Sequence, residues 1–303
     1  MLLRKIGIVG AGVVGTAVGI ILDSKGYEIT GVYDINPEST RPLVEKVGAV
    51  QCSSLREVAE RAEILFVTTS DSAIGKVVED LAAEGGFFEG QLVVHMSGAL
   101  TSEVLEPAVA FGALPVSIHP MQSFATAEQA IKNLPGSVFT IEGDPKAHSL
   151  AADLVRDLDG EYFFIDKKVK PLYHAGACVV SNYLVTVIDV GLQLLESIGI
   201  PRAQALQAAL PLIKGTIKNI EKIGIPRALT GPIARGDLMT VLKHLDCLEE
   251  MAPKLMVLYS WLGYYTTEVA KAKGTVEDTA VDAMRKLFLR KMSSTRMRAF
   301  GGE

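Results

Sequence analysis

The chain predicts an α/β fold class: a doubly wound parallel sheet over residues 1–167, followed by an all-α domain over 168–303. Three observations carry that expectation. Short β-rich runs alternate with amphipathic helical runs through the first half. The strand signal stops near residue 168. A glycine-rich hexapeptide, GAGVVG at 10–15, joins the first β run to the first helical run. Apolar strand cores separated by helices are the pattern of a parallel sheet covered on both faces.

Taken in order, KIGIVGAG, EITGVYD, EILFVTTSD, QLVVHMSG, LPVSIHP, SVFTIEG and EYFFIDK read as strands. Helix patterns lie between most of them, as in PESTRPLVEKVG, SLREVAERA and SAIGKVVEDLAAEG. The second half reads as helices over 171–198, 202–222, 237–249, 253–273 and 276–297. The hexapeptide IGIPRA occurs at 198–203 and again at 223–228. Different sequences come after the two copies, so it reads as punctuation, with Gly past a helix end and Pro opening the next segment. The basic stretch RKLFLRKMSSTRMR near the C-terminus reads as a solvated helix face that frays.

With 303 residues, 49% of them hydrophobic, the chain has material for two cores. The net charge of −5 argues against a nucleic-acid partner, which needs a basic footprint. Cys52, Cys178 and Cys247 are too few and too scattered for a disulfide framework, which fits a reducing compartment. The uncharged run from Ile6 to Leu22 is short for a membrane span of about 20 residues. It also holds five glycines, which a signal core does not need. No other stretch reads as an uninterrupted span, so the expectation is a cytoplasmic protein with no membrane partner. His119, His174 and His244 have no ligand spacing to one another, and no metal is expected.

GAGVVG fits GxGxxG, and its context sharpens a pattern that is weak alone. It follows a strand and opens a helix within a βαβ unit, which is the Rossmann fingerprint. Gly10 permits the tight turn, Gly12 lets a pyrophosphate approach the backbone, and Gly15 lets helix pack on strand. The amides of Val13 and Val14 point at the phosphates from a positive helix end. Asp34 ends the second strand, 19 residues after Gly15. A carboxylate there accepts from ribose hydroxyls and repels a 2′-phosphate, so the cofactor is expected to be NAD(P), with NAD favoured. Arg41 is the nearest cation that could rescue NADP.

Ligands of such sheets bind outside the carboxyl ends of the strands. Three polar clusters fall there: Thr68-Thr69-Ser70-Asp71, His95-Met96-Ser97-Gly98 and His119-Pro120-Met121-Gln122-Ser123. Helix capping accounts for Ser70, Asp71 and Ser102, and a histidine bonded to backbone in a core accounts for His95 or His119. Read functionally, Thr69, Ser70, Ser97 and His119 are candidate cofactor contacts and Gln122 a candidate substrate contact.

YHAGACVVSN at 173–182 opens a long apolar helix. On a helical wheel Cys178, Ser181, Asn182 and Asp189 fall within about 80° of His174. Buried polar groups cost free energy unless satisfied, so such a stripe suggests a cleft. LTGPIARGD at 229–237 breaks the helical run; Asp237 reads as an N-cap and Arg235 as either a solvated turn residue or a carboxylate clamp.

The Rossmann motif followed by a long apolar helix with inward polar residues resembles the superfamily of 6-phosphogluconate dehydrogenase, hydroxyisobutyrate dehydrogenase, pyrroline-5-carboxylate reductase and the deazaflavin-dependent NADP reductases. More closely, SGA (97–99), IHPMQSFA (118–125), YHAGACVVSN and LTGPIARGD resemble a family of oxidoreductases whose helical C-terminal domain has no assigned function. The resemblance covers essentially the whole chain. It implies a homodimer paired through the helical domain, and the helix at 253–273, with Met256, Leu258, Tyr259, Trp261, Leu262, Tyr264 and Tyr265, is apolar around much of its circumference. Better-known relatives carry a Lys-x-x-x-Asn pair on the corresponding helix. Here Asn182 matches, but Cys178 stands four residues before it.

The leading expectation is an NAD(P)-dependent oxidoreductase that moves a hydride between nicotinamide and a small carbonyl or imine. His174 exchanges the proton, with Ser181 and Asn182 orienting the substrate. The alternative is a non-catalytic dinucleotide-binding regulatory or sensing protein; a third reading leaves GAGVVG an empty turn.

Overall fold

The computed structural model describes residues 4–300, and the side chains of residues 4–293. The chain divides into two compact units, Met1–Asn182 and Tyr183–Glu303.

The first unit is built in the expected order: β1 (Lys5–Val9), α1 (Val13–Ser24), β2 (Glu28–Tyr33), α2 (Arg41–Val47), α3 (Leu55–Glu60), β3 (Ile64–Val67), α4 (Asp71–Ala83) and β4 (Leu92–His95). A 3₁₀ stretch at Ser102–Phe111 leads to β5 (Leu114–Pro120), α5 (Ala127–Asn133), β6 (Val138–Gly143), α6 (His148–Asp157), β7 (Glu161–Phe164) and α7 (Lys170–Val180). All seven β-rich runs form strands of one sheet, in the order β2-β1-β3-β4-β5-β6-β7. The order reverses between β1 and β3, where ligands of such sheets bind. The sheet departs from the all-parallel expectation at one joint: β6 runs antiparallel to β5, with His119 opposite Thr140.

Alternation along the strands explains the layers. Ile6 and Ile8 of β1, Ile64 and Phe66 of β3, and Leu92 and Val94 of β4 enter one core. Val9, Leu65, Val67 and Val93 enter the other, on the opposite face. A period of two with both faces apolar is what a sheet covered by helices on both sides requires.

The long apolar helix expected over 171–198 is two helices. The backbone turns at Ser181 (φ −116°, ψ −69°), and α8 (Asn182–Ser197) starts afresh. The stripe therefore does not extend to Asp189, which is tied instead to Arg202 and to Gln193 Nε2 at 2.6 Å. By length and composition the helical run 167–197 is long and apolar enough to cross a membrane, the one such stretch among the described residues. It breaks at Ser181 and carries His174, Asn182 and Asp189.

The second unit continues with α9 (Arg202–Ile223), α10 (Leu238–Met251), α11 (Met256–Lys273) and α12 (Asp278–Phe300). Its core takes Val241, Leu245 and Leu248 from one face of α10, with Met256, Met284 and Phe288. Gly263 of α11 lies so close to Phe288 that a Cβ there would sit within 2.5 Å of the ring. The basic stretch is less solvated than expected: Arg285 pairs with Glu268, and Lys291 bonds Asp246 and Glu249. The fraying end of that expectation lies outside the described side chains.

Candidate functional site

The glycine loop is held from three sides. Gly10 has φ +94°, a left-handed conformation, and a Cβ there would come within 2.6 Å of the Thr69 amide. Gly15 backs onto the Gly10 carbonyl and Thr68 Oγ1, so no side chain fits there either. Thr68 Oγ1 donates to the Gly10 carbonyl at 2.7 Å. Gly12 differs: it is exposed, and a Cβ would meet nothing within 4 Å. Nothing in the protein demands glycine there, whereas a ligand lying on the backbone does. The first turn of α1, with Val13 and Val14, opens onto the same space.

Asp34 closes the loop. Its Oδ2 accepts from the Ala11 amide at 2.8 Å and its Oδ1 from the Asn36 amide at 2.8 Å. A carboxylate has about four acceptor positions, so Asp34 retains capacity for a ribose diol. Arg41 is engaged by Glu38 and Glu45, 3.6 and 3.8 Å away. These residues fit a nicotinamide dinucleotide, with Gly10, Gly12, Val13, Val14, Gly15 and Asp34 able to hold it. Thr69 and Ser70 follow β3 beside the loop; the Ser70 hydroxyl meets Ser72 Oγ at 3.3 Å and makes no capping bond.

A second cluster forms where β4 and β5 end. His119, Gln122, His174, Cys178, Ser181 and Asn182 line one pocket of roughly 240 Å³, all within the first unit. His119 Nδ1 meets Tyr173 Oη at 2.8 Å. Both histidines pack over Gly98: a Cβ there would lie 2.6 Å from His119 Nε2 and 2.9 Å from His174 Nδ1. That close approach leaves His174 Nδ1 buried without a hydrogen-bond partner. Burial, then the charge of Lys170, then His174 push the His119 pKa down to about 4, so it is neutral at pH 7.

His95 and Ser97 have structural partners. His95 is fully buried; its Nδ1 accepts from the Ser97 amide and its Nε2 faces the Thr101 carbonyl, both at 3.2 Å. Desolvation, then Lys170, lower its pKa to about 3, which fixes a neutral core histidine. Ser97 Oγ accepts from the Ala99 and Leu100 amides and holds the turn that presents Gly98. Arg235 lies in the second unit, at the end of a 3₁₀ turn (Ile233–Arg235).

Close enough to His95 and His119 to act on both lies a charged group that sequence reasoning misses. Lys170, at the start of α7, is completely buried, bonds Ser117 Oγ and lies 3.7 Å from Glu142 Oε2. The Glu142 carboxylate in turn accepts from the Ser102 amide at 2.8 Å and the Ser102 hydroxyl at 2.7 Å. Burial lowers the lysine pKa to about 8 against the opposing pull of Glu142. The cluster ties α7 to β5 and β6 and so sets His174 against His119. A lysine one turn before His174 is the available signal. Nothing in its sequence context distinguishes it from a surface lysine at a helix start.

Comparison with known proteins agrees with this architecture. Residues 3–120 match a Rossmann-like domain, and residues 137–266 match a domain of unknown function, DUF2520. L-aspartate dehydrogenase of Methanocaldococcus jannaschii is 33% identical over 104 residues, 33% of this chain but only 38% of that protein. Pyrroline-5-carboxylate reductase of Treponema pallidum is 22% identical over 84% of this chain and 97% of its own length. The crystal structure of a candidate NADP oxidoreductase from Bacteroides fragilis superposes with a TM-score of 0.68 at 24% identity, covering 89% of this chain and 98% of that one. At that identity the likeness establishes a shared fold. The chain is thus similar to Rossmann-like domains over 3–120 and to the DUF2520 domain over 137–266.

Proposed function

We propose that the protein is an NAD(P)-dependent oxidoreductase acting on a small carbonyl or imine. The observation that carries this reading is the placement of two devices at one edge of one sheet. The glycine loop follows β1 and the His119–His174 pocket flanks β5, three strands away, or about 14 Å at the usual strand spacing. A dinucleotide bound through its pyrophosphate at the loop extends along that edge. The names of the relatives, a dehydrogenase, a reductase and a candidate NADP oxidoreductase, point the same way.

When bound, the nicotinamide supplies the hydride chemistry. The chain's own residues bind, orient and move the proton. His174 exchanges it with the substrate heteroatom, Ser181 and Asn182 orient the substrate, and Gln122 contacts it from the opposite wall. Asp34 is the residue that favours NAD. Calorimetric titration with NADH and NADPH tests the reading: tight binding of either is expected, NADH the tighter. Binding of neither would sink it.

The proposed assembly is a homodimer through the helical unit. α9 buries only Ala205 and exposes Leu206, Leu210, Leu212, Ile217, Ile220 and Ile223, and Trp261 stacks on an exposed Tyr265. Exposed apolar surface on that scale supports this reading. Light scattering is expected to give twice the chain mass.

A further inference from the structure

Cys178 Sγ lies 3.6 Å from His174 Nε2, one helical turn along α7. It is the one hydrogen bond the structure gives the His174 ring among the described residues, the other nitrogen being buried without a partner. Cys178 is half-buried and lines the same pocket as His119, Ser181 and Asn182. The other two cysteines are placed differently: Cys52 is buried in the sheet unit and Cys247 is exposed on α10.

A thiol held against an imidazole in a pocket is an activated nucleophile, because the ring takes the thiol proton and the thiolate attacks.

We propose that Cys178, with His174 as its base, is a covalent nucleophile of this pocket that captures the carbonyl carbon of an aldehyde. This rests on the oxidoreductase reading and adds an oxidative activity to it. The thiolate adds to the carbonyl carbon, forming a C–S bond, and the π pair moves to oxygen, which takes the proton from the His174 imidazolium. The resulting thiohemiacetal loses hydride to an oxidised nicotinamide dinucleotide and its hydroxyl proton to His174, leaving a thioester on Cys178. The His174 imidazolium releases that proton to solvent, and water, activated by the neutral ring, then attacks the thioester. The C–S bond breaks, the acid departs and the sulfur recovers a proton. One aldehyde, one oxidised dinucleotide and one water give one acid, one reduced dinucleotide and one proton. The Asn182 side chain on the pocket wall is the donor available to the developing oxyanion.

Alkylation by iodoacetamide, followed by peptide mass spectrometry, tests the nucleophile without any nucleotide, and Cys247 serves as the internal control. At pH 6.5 Cys178 is expected to react about tenfold faster than the more exposed Cys247, since His174 Nε2 stands 3.6 Å from its sulfur to take the thiol proton as the reagent is attacked. His174→Gln is expected to abolish that advantage while Cys247 is unchanged. A Cys178 slower than Cys247 at every pH, or a rate indifferent to His174→Gln in a variant that melts like wild type, overturns the proposal. Oxidation of propanal with NAD⁺ or NADP⁺ then tests the reaction: Cys178→Ser is expected to lose it while binding the dinucleotide with unchanged affinity. A fast Cys178 in a protein that binds no dinucleotide sinks the oxidoreductase reading and the aldehyde step with it. A slow Cys178 in a protein that binds dinucleotide sinks the nucleophile alone.

Discussion

The loop after β1 and the pocket beside β5 are built in opposite ways. The loop is contiguous: Gly10, Gly12 and Gly15 lie within one turn of chain, and its long-range contacts are to Thr68, Thr69 and Asp34. The pocket is assembled from distant segments, with Ser102 bonded to Glu142 40 residues on, and Lys170 to Ser117 across 53. The loop owes its shape to the left-handed backbone of Gly10, which glycine adopts cheaply, and to the close packing that Gly10 and Gly15 allow. The pocket owes its shape to a buried charge pair, which holds only while both members are present. One device is therefore sensitive to an atom added at Gly10 or Gly15, and the other to any lost charge.

The largest expected effect comes from that buried pair. Lys170→Ala leaves the Glu142 carboxylate, 4% exposed, without its cation. Breaking such a pair costs about 3–5 kcal/mol. Urea denaturation should show that loss, and Lys170→Met combined with Glu142→Leu should recover most of it, because two apolar groups of similar size leave no orphaned charge. A loss below about 1 kcal/mol in Lys170→Ala would mean that α7 is anchored by something else, and the contrast between the two devices would fail.

The next effect concerns pH. His119 has a folded pKa of about 4, against about 6.5 in an unfolded chain. Between those values the unfolded state takes up a proton that the folded state refuses. Stability therefore falls as pH drops through 6.5 toward 4, by on the order of 3 kcal/mol for this one residue. His95, lowered to about 3, acts with the same sign over a window that extends further down. Denaturation midpoints from pH 7 to 4.5 should show the decline, and His119→Gln should flatten its share of the slope. An unchanged slope in that variant would show that the exposed carboxylates, not the pocket, set the acid sensitivity.

These differences also explain what the sequence discloses. Seven strands are readable because each is a short apolar run bounded by turns, and the loop because its chemistry is local. The antiparallel joint between β5 and β6 is not readable, since β6 is buried on both faces and shows the same continuous run as its parallel neighbours. The break at Ser181 escapes because serine is tolerated inside helices, and neither Gly nor Pro marks the turn. Treating α7 and α8 as one helix places Asp189 on the polar stripe, while the part before the break, His174 to Asn182, does line one pocket. Lys170 and Glu142 escape because burial of a charge is decided by partners 28 to 53 residues away, and no local pattern announces them.

The smallest effect sharpens the role of Asp34. Its carboxylate holds the Ala11 and Asn36 amides, so Asp34→Ala should cost about 1–2 kcal/mol of stability through those two bonds alone. If the same carboxylate also receives the ribose diol, affinity for NADH falls and the repulsion of a 2′-phosphate disappears. The NADPH-to-NADH affinity ratio then rises by about tenfold, equivalent to one such hydrogen bond. Calorimetry on the variant separates the two roles. A loss of stability with no change in the ratio makes Asp34 a strut of the loop and leaves cofactor choice to other residues. A change in both makes one carboxylate the joint between the shape of the loop and the identity of the dinucleotide it holds.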